Sequence, residues 1–242
     1  MICRVWTRNE LEGDVLKGKR IVDLSHEMIP GQEEYGLELE SRFIEEVYPR
    51  FKRRPDVWYI LQTVRMSSHV GTHIEFPRHF DPNGLDSASF PLERLVGPAC
   101  VLEFRHKADD EAIGLQDVEA FDELIHQGDI VFLHTGRHIT HNTPVAHHRP
   151  YLTPEATRWL VEQKGVRVIG VDATGIEVKG TDYHPIHSIL LREHGCALIE
   201  AVGDLSQLRR KRFEAWILPL KMRGLDACPI RLLAVEDEDE TE

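Results

Sequence analysis

Between Asp129 and Val171 the chain spells out a strand, a helix start and a second strand, and this unit limits the folds open to it. Asp129-Ile-Val-Phe-Leu-His134 is a nearly continuous apolar run of strand length, the pattern of a strand buried on both faces. Thr153-Pro154-Glu155 opens a helix, with a capping hydroxyl followed by a proline at the first helical position. That helix is predicted to run to Lys164 and to end at Gly165 in a left-handed C-cap. Val166-Arg-Val-Ile-Gly-Val171 then follows as the next strand.

The same alternation continues on either side. Arg20–Ser25, Trp58–Met66, Ala99–Phe104, Cys196–Glu200, Ala215–Leu220 and Ile230–Val235 read as strands. Leu115, Val118, Phe121, Leu124 and Ile125 fall at helical spacing before Gly128, and a further helix is expected over Ile186–Glu193. Strands alternating with helices predict an α/β fold, a single domain with a mixed β-sheet and flanking helices. At roughly 150 residues per domain, and with no repeat or break in composition, 1–242 reads as that one domain. The run 236–242 is expected to be an acidic, frayed tail. Residues 27–56 hold Pro30, Gly31, Gly36, Pro49 and Pro55; they read as loop-rich, with a helical piece over Glu38–Tyr48, and are placed to cover a site.

Composition excludes several function classes. The formal net charge of −12 argues against a protein that grips phosphate backbones, so no nucleic-acid partner is expected. Cys3, Cys100, Cys196 and Cys228 lie far apart with no C-x-x-C pair and do not read as a disulfide scaffold or zinc ribbon; Cys100 and Cys196, inside apolar runs, read as buried free thiols. No run approaches the length of a bilayer span, and Met1–Arg8 lacks the apolar stretch of a signal peptide, so no membrane association and a cytoplasmic location are expected.

Residues 67–81 carry the chemistry. Three histidines and a carboxylate, His69, His73, Glu75 and His79, fall within eleven positions. Imidazole and carboxylate are the ligands that suit zinc, manganese and similar divalent ions. Gly71 lets the backbone bend, and Pro77 sets its path just before His79. An isolated His-x-x-x-His is a weak signal, more often a polar loop than a site. The added carboxylate, third histidine and bending residues make the segment specific. Farther on, His187 begins a helix and Glu200 ends a strand. Spacing alone would leave His187 a helix-start histidine and Glu200 a surface acid.

Read as H-V-G-T-H-I-E-F-P-R-H, residues 69–79 resemble the H-x-G-T-H-x-D-x-P-x-H pattern of the cyclase family of metal-dependent hydrolases, which includes bacterial kynurenine formamidase and isatin hydrolase. The likeness extends in order through Asp23-Leu-Ser-His26 with Pro30-Gly31, His134-Thr-Gly136, Val168-Ile-Gly-Val-Asp172, His187-x-x-Leu-Leu with Glu200, Pro219-Leu-Lys221 and Pro229-Ile-Arg231, covering most of 20–235. It implies a swivelling β/β/α-like fold and one or two divalent ions per subunit, Zn2+ or Mn2+. His69, His73 and Glu75 would hold the first ion, and His187 with Glu200 would complete a second site. His79 would serve as general base or proton shuttle.

The resemblance further implies a homodimer or homotetramer acting on a small-molecule substrate, an aromatic amide. The reaction it implies is hydrolysis of a formamide, aryl amide or cyclic amide. A cyclase or lyase acting on a polyketide-like or sugar-acid substrate, and a non-catalytic metal-binding protein, are the alternatives; the retained His79 speaks against the last. Tyr35, Phe43, Tyr48, Trp58, Tyr59 and Phe76 are candidate aromatic pocket residues, and the His- and Arg-rich stretch 137–149 is a candidate holder of a substrate carboxylate. Three positions depart from the pattern. Glu75 stands where Asp is usual, the His187–Glu200 interval is one residue longer so that His184 competes as the ligand, and Gly175 stands where many members have Ser.

Overall fold

In the computed structural model, which describes residues 18–238, eight strands share one mixed sheet. They are β1 (Lys19–Asp23), β4 (His73–Glu75), β5 (Val96–Glu103), β7 (Ile130–His134), β9 (Val168–Val171), β10 (Ala197–Glu200), β11 (Arg212–Pro219) and β12 (Ala227–Asp237); β2 (Leu37–Phe43) with β3 (Ile60–Met66), and β6 (Ala112–Ile113) with β8 (Tyr151–Leu152), form two separate pairs. Their order is β1-β12-β11-β5-β7-β9-β10-β4, and β4 pairs with β12 as well as β10. β5, β7, β9 and β10 run parallel; the remaining pairs are antiparallel. The three-residue strand β4 therefore joins two parts of the sheet and curls it toward a barrel.

The parallel strands need crossovers, and helices supply them. The predicted start at Thr153 is present: its hydroxyl accepts from the Ala156 N–H, with helix over Pro154–Arg158. This helix widens into a π turn over Trp159–Gln163, and the helix Pro185–His187 likewise continues as a π turn over Ser188–Glu193.

Alternation along the strands divides the core in two. Val131, Leu133, Ile169 and Leu198 pack under the helices with Leu160, Ile189 and Leu190. Ile130, Phe132, Val168 and Ile199 face the other way and meet Ile74, Phe76, Ala215, Ile217 and Leu232. With Ile74 committed to this second cluster, its neighbours His73 and Glu75 must project from the opposite, helix-bearing face.

Three sequence expectations need correction. Glu38–Tyr48 is mostly strand: β2 (Leu37–Phe43) pairs antiparallel with β3 (Ile60–Met66), leaving helix only at Ile44–Val47. Cross-strand pairing there overrides the local helical spacing. The stripe from Leu115 to Ile125 is helical only through Glu119; beyond it, bonds from the Phe121 N–H to the Val118 carbonyl and from the Leu124 N–H to the Phe121 carbonyl make tighter turns, although Val118 and Ile125 are still buried. The acidic run does not fray at 236. Glu236 is 2% exposed and accepts from the backbone N–H of Arg209 and Arg210 (2.9 Å each) and from Arg20 (2.6 Å), so β12 carries it into the sheet. Residues 239–242 and Cys3 lie outside the described residues. Among the described residues, no helix is long and apolar enough to cross a membrane.

Candidate metal centre

Strand register assembles the centre. His73 and Glu75 are two residues apart on β4 and share a face. β10 pairs with β4 so that Glu200 lies directly opposite His73, which brings its carboxylate to the same face. The helix start at Pro185 delivers His187 from above. Its backbone N–H donates to Glu177 Oε1 at 2.9 Å, and its Nδ1 lies 2.9 Å from the same oxygen. His69 enters from the turn before β4.

Glu75 is the hub. Its Oε1 lies 3.3 Å from His69 Nε2 and 3.8 Å from His73 Nε2, and its Oε2 lies 3.3 Å from His187 Nε2. Glu200 closes the set, 3.9 Å from His73 Nε2 and 3.7 Å from His187 Nε2. Two groups thus share Glu75: His69/His73/Glu75 and Glu75/His187/Glu200, each with its ligand atoms within 4.8 Å of one another. The longer side chain at position 75 reaches both.

These residues fit a divalent cation. His69 Nε2, His73 Nε2, Glu75 Oε2 and Glu200 Oε1 are buried without a hydrogen-bond partner, an arrangement that costs free energy unless something else satisfies them. Separations of 3.3–3.9 Å are long for hydrogen bonds but suit donors gathered around one ion at 2.0–2.2 Å. The rings are oriented for it. His73 Nδ1 lies 2.9 Å from the Gly71 carbonyl, and His69 Nδ1 lies 3.0 Å from Ser68 Oγ. His187 Nδ1 is held by Glu177, so each Nε2 faces inward. Gly71 has φ +63°, a left-handed conformation open to glycine, and this turns its carbonyl toward His73.

The charges are strongly coupled. Burial by itself would raise the Glu75 carboxyl, but His187, His69 and His73 hold it well below the usual carboxylate range. Burial and the neighbouring Glu75 push Glu200 up. Against burial, Glu177, Glu75 and Glu200 push His187 up to about 10, and Glu75 and Glu200 likewise raise His73. A cation binding here competes with those protons.

His79 stands at the edge of this group. The turn Pro77–His79 points its Nε2 to within 3.8 Å of Glu75 Oε1, while its Nδ1 lies 2.9 Å from Asp226 Oδ2. Asp226 is held at that spot because its carbonyl accepts from the Phe76 N–H, 2.9 Å away. Burial raises the Asp226 carboxyl, yet His79 and His69 bring it below its ordinary value. Neither Asp226 nor Glu177 is signalled by sequence spacing; each is defined by a histidine it meets in the fold, 147 residues away for Asp226 and ten for Glu177.

A cavity of about 340 Å³ opens onto His69, His73, Glu75, His79 and Glu200. Its far wall is Glu33, Glu34 and Tyr35, tied to Asn142: Asn142 Nδ2 donates to Glu33 at 2.7 Å, and the Glu34 N–H donates to Asn142 Oδ1 at 3.3 Å. An adjoining recess of about 330 Å³ adds Phe80, Arg149 and His184. Of the six aromatic candidates, Tyr35 alone lines these spaces; Phe76 is fully buried against Phe90, and Phe43 packs edge-on against Trp58 beside the β2–β3 hairpin. Phe80, which the sequence does not single out, stacks on His187 at 5.1 Å. His184 is exposed and groups with Glu177, on the side of His187 away from Glu75, so His187 is the histidine that faces the centre. The departure at Gly175 has a local cause: its φ is +120°, and a Cβ there would lie 2.3 Å from the Arg149 guanidinium.

The Cyclase family model matches residues 22–178. Kynurenine formamidase from Geobacillus thermodenitrificans (strain NG80-2) is 30% identical over 169 residues, 69% of this chain and 76% of that protein. Kynurenine formamidase from Salinibacter ruber (strain DSM 13855 / M31) is 27% identical over 182 residues, 74% of this chain and 81% of that protein. Isatin hydrolase A from Labrenzia aggregata, solved with benzyl benzoate bound, aligns with TM-score 0.76 and 25% identity, covering 95% of this chain and 99% of that one. Fold and site together define a metal-dependent hydrolase acting on a C–N amide bond other than a peptide bond. The chain belongs to the Cyclase family.

Proposed function

We propose that this enzyme hydrolyses the amide of a small aromatic substrate, an aryl formamide or a cyclic aryl amide. The observation that carries this reading is the pair of ligand groups sharing Glu75 beside the Asp226–His79 pair. His69, His73 and Glu75 would hold one divalent ion, zinc or manganese, and Glu75, His187 and Glu200 a second. Such an ion would supply Lewis acidity, lowering the pKa of water toward neutrality and polarising the carbonyl.

The chain's own groups then manage the protons. His79 Nε2 takes one from the attacking water as it adds to the carbonyl carbon, and Asp226 holds Nδ1–H in place and stabilises the imidazolium. His79 returns that proton to the leaving nitrogen as the C–N bond breaks, yielding an amine and a carboxylic acid, which then loses its proton to solvent. Tyr35 and Phe80 offer aromatic walls, and Arg149 offers a cation to an acidic substituent.

A panel of aryl formamides, cyclic aryl amides and aliphatic formamides, assayed in H2-18O with the metal-loaded enzyme, tests this. One labelled oxygen in the acid product and a preference for aryl substrates are expected. Turnover without label would sink the hydrolytic route, and equal rates on aliphatic substrates would sink the aromatic assignment.

Assembly as a homodimer or homotetramer belongs to the same proposal. It is supported by the β2–β3 hairpin, a two-stranded sheet apart from the main one, which leaves Leu39, Val64 and the neighbouring Trp58 and Tyr59 exposed, Trp58 at 76%. A reducing, cytoplasmic setting is supported by the buried free thiols of Cys100, Cys196 and Cys228. Light-scattering mass, with Trp58→Asp shifting it toward monomer, checks the assembly.

A further inference from the structure

A second histidine–carboxylate cluster lies at the ends of β7 and β9, outside the residues that line the hydrolytic cavity. His134 Nε2 is 3.9 Å from Asp172 Oδ2, and His138 Nδ1 is 3.7 Å from the same oxygen. Both nitrogens are buried and lack a hydrogen-bond partner, and the His134 side chain is 4% exposed. A carboxylate stands behind each ring: Glu103 Oε2 lies 3.2 Å from His134 Nδ1, and Asp204 Oδ1 lies 3.4 Å from His138 Nε2. Acids beside the outer nitrogens favour the proton there, which leaves the unpartnered inner nitrogens to offer lone pairs toward Asp172.

Asp172 is itself held rigidly. Its Oδ1 accepts from the Thr135 N–H (2.7 Å) and hydroxyl (2.6 Å), and its Oδ2 accepts from the Gly136 N–H (2.7 Å), leaving Oδ2 a lone pair toward the histidines. A simple ion pair between Asp172 and either imidazolium would close to about 2.8 Å, the length of a charge-assisted hydrogen bond. The observed gaps, 3.9 and 3.7 Å, are about 1 Å wider.

We propose that His134 Nε2, His138 Nδ1 and Asp172 Oδ2 bind one zinc-like divalent ion, separate from the hydrolytic centre. Two imidazoles and a carboxylate are a ligand set suited to zinc, with a fourth position for water. Its effect is structural and reaches the active site. His138 sits on the turn Arg137–Thr140, which leads directly to His141 and Asn142 of the cavity wall. An ion at Asp172 pins that turn to the sheet.

The inference is independent of the hydrolytic reading, and its test reads metal rather than turnover. Full-length protein is equilibrated with Zn2+, dialysed without chelator, and its zinc per chain measured by elemental analysis. His69→Gln/His187→Gln, which dismantles both groups of the hydrolytic centre, is expected to keep one zinc per chain and to lose it when His138→Gln is added. No zinc in the double variant, or zinc that survives His138→Gln, overturns the proposal. Should the triple variant fail to fold, anomalous scattering at the zinc edge from wild-type crystals decides. A peak between His134 and His138 supports the site, and none there overturns it.

Discussion

The molecule carries two histidine–carboxylate clusters built by the same rule and put to different uses. In both, unpartnered ring nitrogens converge on a central carboxylate, and further carboxylates stand behind some of the rings. Glu177 hydrogen-bonds His187, while Glu103 and Asp204 lie 3.2 and 3.4 Å from the outer nitrogens of His134 and His138. The central carboxylates differ. Glu75 is left with an unpartnered oxygen and faces the cavity, whereas Asp172 already accepts three hydrogen bonds and lines neither recess. An open, under-satisfied hub leaves positions for substrate and water; one already anchored by three hydrogen bonds, with a single lone pair to spare, is suited to holding structure in place.

The largest effect expected from breaking this contrast is at Glu75. Glu75→Ala should abolish detectable turnover and empty both hydrolytic groups, while zinc at the Asp172 cluster persists. Activity assay and metal analysis of one sample check both statements. Next is His79→Ala, expected to lower kcat by roughly 10²–10⁴-fold with metal content unchanged, the signature of a proton carrier rather than a ligand. Unchanged kcat would remove His79 from that role. Glu177→Gln should weaken metal binding at His187 by about 10–100-fold, measured by competition with a chromophoric chelator.

His138→Gln should cost less activity than any of these and show itself in thermal unfolding. Each 1 kcal/mol lost lowers Tm by roughly 2–4 °C in a chain of this size. The drop should vanish when zinc is withheld from both proteins.

The smallest effect is on pH dependence, between the two clusters. His26 stacks on His141 at 4.1 Å; burial, then the charges of His141 and His138, lower its pKa from 6.5 to about 4. Because the folded value lies below the unfolded one, the unfolded chain takes up the proton first. Stability from this group is intact above about pH 6.5, falls as pH drops toward 4, and levels off below. After discounting for partial solvent access, about 1 kcal/mol should be lost between pH 7 and 5. His26→Gln should flatten that part of the urea-midpoint profile, and an unaltered slope would assign it elsewhere.

What sequence alone determined here is local. Side chains two apart on a strand share a face, so the spacing of His73 and Glu75 was legible as a paired ligand set before any fold was known. The Thr153-Pro154 start and the apolar runs of β7 and β9 were legible for the same reason. The strand at Leu37–Phe43 was not, because its partner β3 begins seventeen residues farther along and local spacing favoured a helix. Glu177 and Asp226 were invisible too, each chosen by an imidazole it meets only after folding. Tertiary structure alone set Glu200 opposite His73, across 127 residues of chain. Backbone geometry dictates which side chains share a face, but only the pairing of distant strands decides which faces meet, and the candidate metal centre lies where they do.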